Sequence, residues 1–282
     1  MSSVSIFMQN NVRERAYAKI NLALSVTGKM GDYHSIETLF QSIDLYDEVT
    51  LSRRDDSLVT SDFQGDNSLV VLSALQRKFS LGGMHLSTKK NIPIGGGLGG
   101  SSADAAAAAL ACTHLFDLST AEVYDSVKNL FGDIAFQMMK GTAFARGIGS
   151  EIERLAPLPP YYVLLVFPQK GVSTKDAYAL SDRYPYNGAD LYPLYERLLR
   201  GKNAQDLYVN DLLPPAVLLN DEITPLLREM KDPAALLTGM SGSGSTLFSL
   251  YKTEEAARAQ AKVISAPTLI TKTFSPRENE NK

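Results

Sequence analysis

Strand-like and helix-like segments are mixed in both halves of this 282-residue chain, without the regular alternation of a Rossmann sheet, and this predicts an α+β protein. Two further observations shape the prediction. Hydrophobic residues make up 44% of the sequence, enough to bury the core of one large domain or two ordinary ones. The proline-rich stretch Leu155-Ala156-Pro157-Leu158-Pro159-Pro160 interrupts the chain near its middle, and a domain boundary is expected there, dividing residues 1–155 from 156–282.

From Arg15 to Val26 apolar and polar positions alternate in several places, the pattern of a half-buried strand. Two more apolar segments, around Leu39 and Val49, read as strands with short loops, and Asp55-Asp56 as a turn. Between Asn67 and Phe79, Leu72, Leu75 and Phe79 recur at helical spacing, with Gly82-Gly83 as the helix stop and a short strand from Met84 to Thr88. A glycine-rich loop then runs into an alanine-rich segment of high helix propensity. Ser119 with Glu122 forms a capping-box pattern for another helix, with Val123, Val127 and Leu130 as its apolar stripe. Beyond the prolines, Tyr162 to Phe167 reads as a buried strand. Helices are expected near Leu191–Leu199, Glu222–Met230 and Glu254–Ile264, with strands in TLFSLY and TLITKTF, and the polar tail from Pro276 reads as mobile.

Lys and Arg number 28 against 31 Asp and Glu, a formal charge of −3, so no global field recruits nucleic acid or an anionic membrane. The single cysteine, Cys112, cannot form an internal disulfide and lies in the alanine-rich stretch, which suits a reducing compartment. The first residues lack the apolar core of a signal peptide, and no run of about eighteen uncharged apolar residues exists to span a membrane. The expectation is a cytoplasmic protein with a small-molecule substrate, no nucleic-acid or membrane partner, and a monomeric or homodimeric state.

The strongest chemical signal is Gly95-Gly96-Gly97-Leu98-Gly99-Gly100-Ser101-Ser102, immediately before the alanine-rich helix. Glycines let backbone N–H groups turn inward on an anion, and a helix N-terminus adds a favourable dipole. Phosphate is the natural occupant. Ser101 and Ser102 can offer hydroxyls to phosphate oxygens or a magnesium ion, or simply cap the helix. The loop is neither a Walker A sequence nor a dinucleotide fingerprint. Asn21 lies two residues beyond Lys19, hence on the same face of the strand. Gly239, Ser241, Gly242, Ser243 and Gly244 make a second loop of small residues, longer than a tight hairpin turn uses.

Pro93 to Ser102 is similar to the phosphate-loop motif of the kinase superfamily named after galactokinase, homoserine kinase, mevalonate kinase and phosphomevalonate kinase, the GHMP kinases. Four further blocks narrow the likeness. AYAKINLALSV with DYHSIETLFQ, GDIAFQMMKGTAFARGIG, YVNDL and LLTGMSGSGSTLFSLY together resemble the 4-diphosphocytidyl-2-C-methyl-D-erythritol kinase family across Ala16 to Phe248.

The resemblance implies a two-domain GHMP kinase fold of mixed and antiparallel sheets with helices, its active site between the domains. It implies ATP as phosphoryl donor, with Mg2+, and an acceptor carrying a cytidine diphosphate group. Lys19 and Asp133 fall on the family's catalytic lysine and aspartate; a carboxylate can accept the proton of the attacking hydroxyl while an ammonium stabilises developing charge. By composition alone, Lys19 reads as a solvated strand lysine and Asp133 as a helix-end or turn residue. Tyr33 and His34 fall where the family holds the cytosine, and Asn21 near the substrate hydroxyl. Asp66, Asn67 and Lys90 fall where it contacts adenosine, while Pro93, Gly95–Gly97, Leu98, Gly99, Gly100, Ser101, Ser102, Gly242 and Ser243 belong to the phosphate site. No protein ligand to a metal is legible. The alternatives are a GHMP kinase for another small alcohol, of the homoserine or mevalonate type, or a nucleotide-binding homologue with weakened catalysis.

Overall fold

The computed structural model describes residues 10–31, 33–63, 67–186 and 188–276; Asp66, residues 1–9 and the tail beyond Pro276 lie outside them. Its first sheet grows from a hairpin of two long strands, β1 (Asn11–Met30) and β2 (Tyr33–Arg53). The segments around Leu39 and Val49 therefore belong to one strand, not two. The register slips between Tyr17↔Tyr46 and Lys19↔Ser42, again between Asn21 and Ala23, and again between Val26 and Gly28. Such bulges break the period-two signal in the sequence while the pairing continues.

β3 (Val59–Ser61), α1 (Ser68–Phe79) and β4 (Met84–Lys89) follow. α1 ends at Ser80, which takes the left-handed conformation at φ 53° and donates its N–H to the Gln76 carbonyl, so Gly82-Gly83 is a connection and not the stop. Then come α2 (Gly100–Phe116), α3 (Thr120–Val127), α4 (Ile134–Met139), β5 (Thr142–Gly147) and β6 (Glu151–Arg154). The first sheet runs β3-β4-β2-β5-β6 with β1 paired to β2; β3 and β4 are parallel and the other pairs antiparallel.

The second sheet is antiparallel, in the order β10-β7-β9-β8. Its chain order is β7 (Tyr162–Val166), α5 (Thr174–Ser181), α6 (Tyr192–Leu199), α7 (Leu213–Leu219), α8 (Ile223–Glu229), β8 (Leu237–Met240), β9 (Leu247–Tyr251), α9 (Glu254–Ala261) and β10 (Thr268–Lys272). The architecture is α+β, with mixed and antiparallel sheets.

From Ala105 to Cys112 α2 is apolar around its whole circumference, and a helix segment of that kind is buried. Ala105 through Ala109, Ala111 and Cys112 are all buried, in one core with Ile20 and Leu22 of β1 and Phe248 and Leu250 of β9. Burial pushes the Cys112 thiol up to about 12, so it stays a protonated packing group. Small side chains let the helix lie close to β1 and β2, which brings its N-terminus to the level of Lys19. The two sheets also meet where Phe274 N–H donates to the Ser42 carbonyl at 2.8 Å and the Tyr17 and Phe274 rings stack at 3.9 Å.

Candidate active site

The glycine loop joins β4 to α2, and both of its ends are pinned. At the entrance, buried Asp47 accepts the N–H groups of Asn91 at 2.5 Å and Ile92 at 2.8 Å through one oxygen. Its other oxygen takes the Lys90 ammonium at 2.5 Å, and Lys90 also reaches Asp104 of α2 at 2.5 Å. One ammonium thus ties the strand before the loop to the helix after it. The two carboxylates are wholly buried and share this one ammonium, which is partly exposed. Burial pushes the Asp104 carboxyl up to about 7 against the opposing pull of Lys90, and one Asp104 oxygen has no hydrogen-bond partner.

The second small-residue loop connects β8 to β9, so it is a hairpin connection, and it also abuts the first loop. Ser241 Oγ donates to the Gly97 carbonyl at 2.9 Å and Thr246 N–H to the Gly96 carbonyl at 3.2 Å. Gly97 has φ 76°, and a Cβ built on it would stand 2.3 Å from the Ser241 carbonyl oxygen, so no other residue fits between the loops. Gly99 also lies in the left-handed region, at φ 71°, as the residue before α2, and no side chain caps that helix.

β1 delivers Lys19 against this loop. Its N–H donates to the Leu98 carbonyl at 3.0 Å, and its buried ammonium donates to the Gly97 carbonyl at 3.1 Å. Asn21, on the same strand face, accepts from Lys19 Nζ at 2.7 Å and donates through Nδ2 to Thr38 Oγ1 at 2.8 Å; Thr38 donates to the Ala23 carbonyl at 2.6 Å. The Asn21 side chain thus orients the ammonium. Lys19 Nζ lies 3.5 Å from Asp133 Oδ2. Asp133 occupies the position just before α4, yet its side chain makes no capping bond there, which leaves the carboxylate directed at Lys19.

A cavity of about 670 Å³ opens over the loop. Lys19, Asn21, Lys90, Asp133, Pro93, Gly95 to Gly100 with Leu98, Ser101, Gly242 and Ser243 all line it. Ser102 and Asn67 do not, although the Asn67 N–H meets Ser101 Oγ at 3.4 Å. Tyr33 and His34 also lie off the cavity wall. Tyr33, at the hairpin tip, is 67% exposed. The His34 ring stacks on Tyr178, which does line the cavity, with ring centroids 4.9 Å apart.

Sequence reasoning missed several of these side chains. Thr38, between Glu37 and Leu39, has no signal of its own. Asp104 was readable as a lone carboxylate amid alanines, which marks a buried charge. Tyr178 arrives on α5, a helix announced only by the pairing of Ser173 Oγ with the Asp176 N–H at its start. Burial raises the Tyr178 hydroxyl above its ordinary value, and the nearby Asp133 charge adds to the rise, so it remains a neutral phenol.

The chain matches the family model of the GHMP kinases N terminal domain over residues 67–141 and that of the GHMP kinases C terminal over 196–267. It is 36% identical over 268 residues to the 4-diphosphocytidyl-2-C-methyl-D-erythritol kinase of Desulfitobacterium hafniense, covering 91% of this chain and 92% of that protein. The enzyme of the same name from Pelotomaculum thermopropionicum is 35% identical over 281 residues, 93% and 98% of the two chains. Among solved structures, a 4-(cytidine 5'-diphospho)-2C-methyl-D-erythritol kinase superposes with a TM-score of 0.81 at 28% identity, covering 94% of this chain and all of that one. A homoserine kinase from Cytophaga hutchinsonii, at 20% identity and a TM-score of 0.69, shares the fold. The chain belongs to the 4-diphosphocytidyl-2-C-methyl-D-erythritol kinase family of the GHMP kinases.

Proposed function

We propose that this kinase transfers the terminal phosphoryl group of ATP to the 2-hydroxyl of 4-diphosphocytidyl-2-C-methyl-D-erythritol, releasing ADP and the 2-phosphate, a step in non-mevalonate isoprenoid precursor synthesis. The observation that carries the reading is the Lys19 ammonium, 3.5 Å from the Asp133 carboxylate beside the glycine loop, with both lining one cavity.

In this reading the amides of Gly95 to Gly100 and the uncapped start of α2 hold the ATP phosphates. Asp133 accepts the proton of the acceptor hydroxyl as its oxygen attacks the terminal phosphorus, and the bond to the ADP oxygen breaks. Lys19, held by Asn21 and Gly97, orients the Asp133 carboxylate and offsets charge on the transferring group. Ser101, on the cavity wall in the first turn of α2, is the side chain that would meet a magnesium ion arriving with the nucleotide. Bound there, the ion supplies positive charge beside the phosphates. Among the described residues no group of three or more His, Cys, Asp or Glu side chains is arranged to hold a metal by itself.

Tyr33, His34 and Tyr178 form the side from which we expect the cytosine to be held. We place the enzyme in the cytoplasm, without a nucleic-acid partner, on the net charge of −3 and the single cysteine. Among the described residues no helix is long and apolar enough to cross a membrane.

The test is turnover: purified protein with the proposed substrate, ATP and magnesium, ADP release followed by a coupled assay and the product by phosphorus NMR. Formation of the 2-phosphate supports the reading. No ADP above background, while a known enzyme of this family succeeds in parallel, refutes it.

A further inference from the structure

A second polar cluster lies outside the phosphate site, where the tip of the β1–β2 hairpin meets the end of α5. At its centre Asp182, just past α5, accepts from three donors. Lys29 Nζ of the hairpin reaches Oδ2 at 2.5 Å, the Tyr186 hydroxyl reaches Oδ1, and His34 Nε2 lies 2.7 Å from the same Oδ1. The bond from Lys29 leads those from Tyr186 and His34 in holding the Asp182 carboxyl below its usual range. An ionised carboxylate has no proton to give, so the His34 ring must carry its proton on Nε2 and donate it.

With Nε2 engaged by Asp182, Nδ1 is the ring nitrogen left to face a ligand, and in the neutral tautomer that donates through Nε2 it carries the lone pair. One face of the imidazole is covered by Tyr178, and the side chain is only 12% exposed, so the ring cannot turn over freely. We infer that Asp182 is a positioning residue for base specificity: it fixes His34 as a hydrogen-bond acceptor toward the substrate base, which selects cytosine over uracil. The inference rests on the reading above that the acceptor carries a cytidine diphosphate group near His34. The chemistry follows from the two bases. Cytosine presents a 4-amino group that donates to Nδ1, whereas uracil presents a 4-carbonyl oxygen whose lone pairs face those of the ring. A site that loses a hydrogen bond and gains such an opposition discriminates by about tenfold or more.

The experiment titrates CDP and UDP separately into the purified full-length chain by calorimetry. In parallel, nitrogen NMR of the histidine rings reads the tautomer of His34; the chain has only three histidines, which makes assignment direct. Wild type is expected to prefer CDP by about tenfold or more, with His34 protonated on Nε2. D182A should bring the CDP-to-UDP ratio close to one and lose the fixed tautomer, while binding of an ATP analogue is unchanged. K29M, which removes the leading bond that orders the Asp182 carboxylate, should loosen its hold on the His34 ring and lower the ratio as well. If D182A and K29M both keep the full preference for CDP, or if wild-type His34 is cationic or protonated on Nδ1 alone, the assignment of Asp182 is overturned. If wild type binds neither CDP nor UDP, the substrate reading itself falls and takes this inference with it. Loss of discrimination in the variants of a CDP-selective wild type supports both.

Discussion

Replacing Thr38 with valine tests whether the Lys19 ammonium is held in place by a chain of buried hydrogen bonds. Valine matches threonine in shape and removes only the hydroxyl. In the native structure that hydroxyl accepts from Asn21 Nδ2 at 2.8 Å and donates to the Ala23 carbonyl at 2.6 Å, with Thr38 wholly buried and Asn21 2% exposed. T38V leaves a donor and an acceptor without partners at once. Each buried orphan costs about 1–3 kcal/mol, so the fold should lose about 2–6 kcal/mol. The consequence for catalysis is separate, because Asn21 is the oriented acceptor for Lys19 at 2.7 Å. With its amide released, the ammonium is no longer held beside Asp133, and misplacement of this kind costs on the order of 100-fold in rate.

The assays are ADP release, resolved into kcat and KM, and thermal melting. We expect kcat to fall with KM for ATP little changed, since the glycine loop keeps its own support from Asp47 and Ser241. The control is T38S, which restores the hydroxyl and should recover most of kcat while remaining somewhat less stable for want of the methyl group. Wild-type kcat in T38V would refute the reasoning, as would a T38S enzyme as slow as T38V, because then the methyl and not the hydroxyl would be what matters.

D133N removes the proton acceptor while keeping the size of the side chain, and kcat should drop by about 10²–10⁴-fold with ATP binding retained, read by steady-state kinetics and calorimetry. G97A forces a Cβ to within 2.3 Å of the Ser241 carbonyl at φ 76°; the left-handed backbone alone costs about 1–2 kcal/mol, so the variant should melt earlier and lose the stabilisation that wild type gains from an ATP analogue. D104N addresses a carboxyl raised by burial from 3.8 to about 7. A carboxyl whose pKa is raised on folding favours the native state below its unfolded value and loses that contribution as pH rises through its folded one. The stability of D104N relative to wild type should therefore increase between about pH 4 and 7, by an amount on the order of a few kcal/mol; a difference in unfolding free energy that stays flat with pH contradicts the buried-charge account.

What could be read from the sequence, and what could not, divides along a physical line. The glycine loop was legible because its chemistry lies in the main chain, and only glycine supplies the backbone that a loop such as Gly95 to Gly100 needs. The shared face of Lys19 and Asn21 followed from strand alternation, which holds between them because the register slips fall just outside that pair. The α+β class and the helix after the loop were legible from propensity. α4 was not, since six residues are too few to show a helical period, and β2 looked like two strands because a bulge interrupts its pattern. The support of the site was hidden for a deeper reason. Ser241 meets Gly97 across 144 residues of chain, Asp182 meets His34 across 148, and Lys90 joins Asp47 to Asp104. None of these partners carries a local signal, because a serine, an aspartate or a lysine acquires its role only from what the fold sets opposite it. On the proposed reading, the glycines assigned to the phosphates are written in residue types, while the side chains that hold each half of the site in place are written in pairings. Substitutions at Lys29, Asp182 or Tyr186 would pass unnoticed in a motif and still change which base the enzyme accepts.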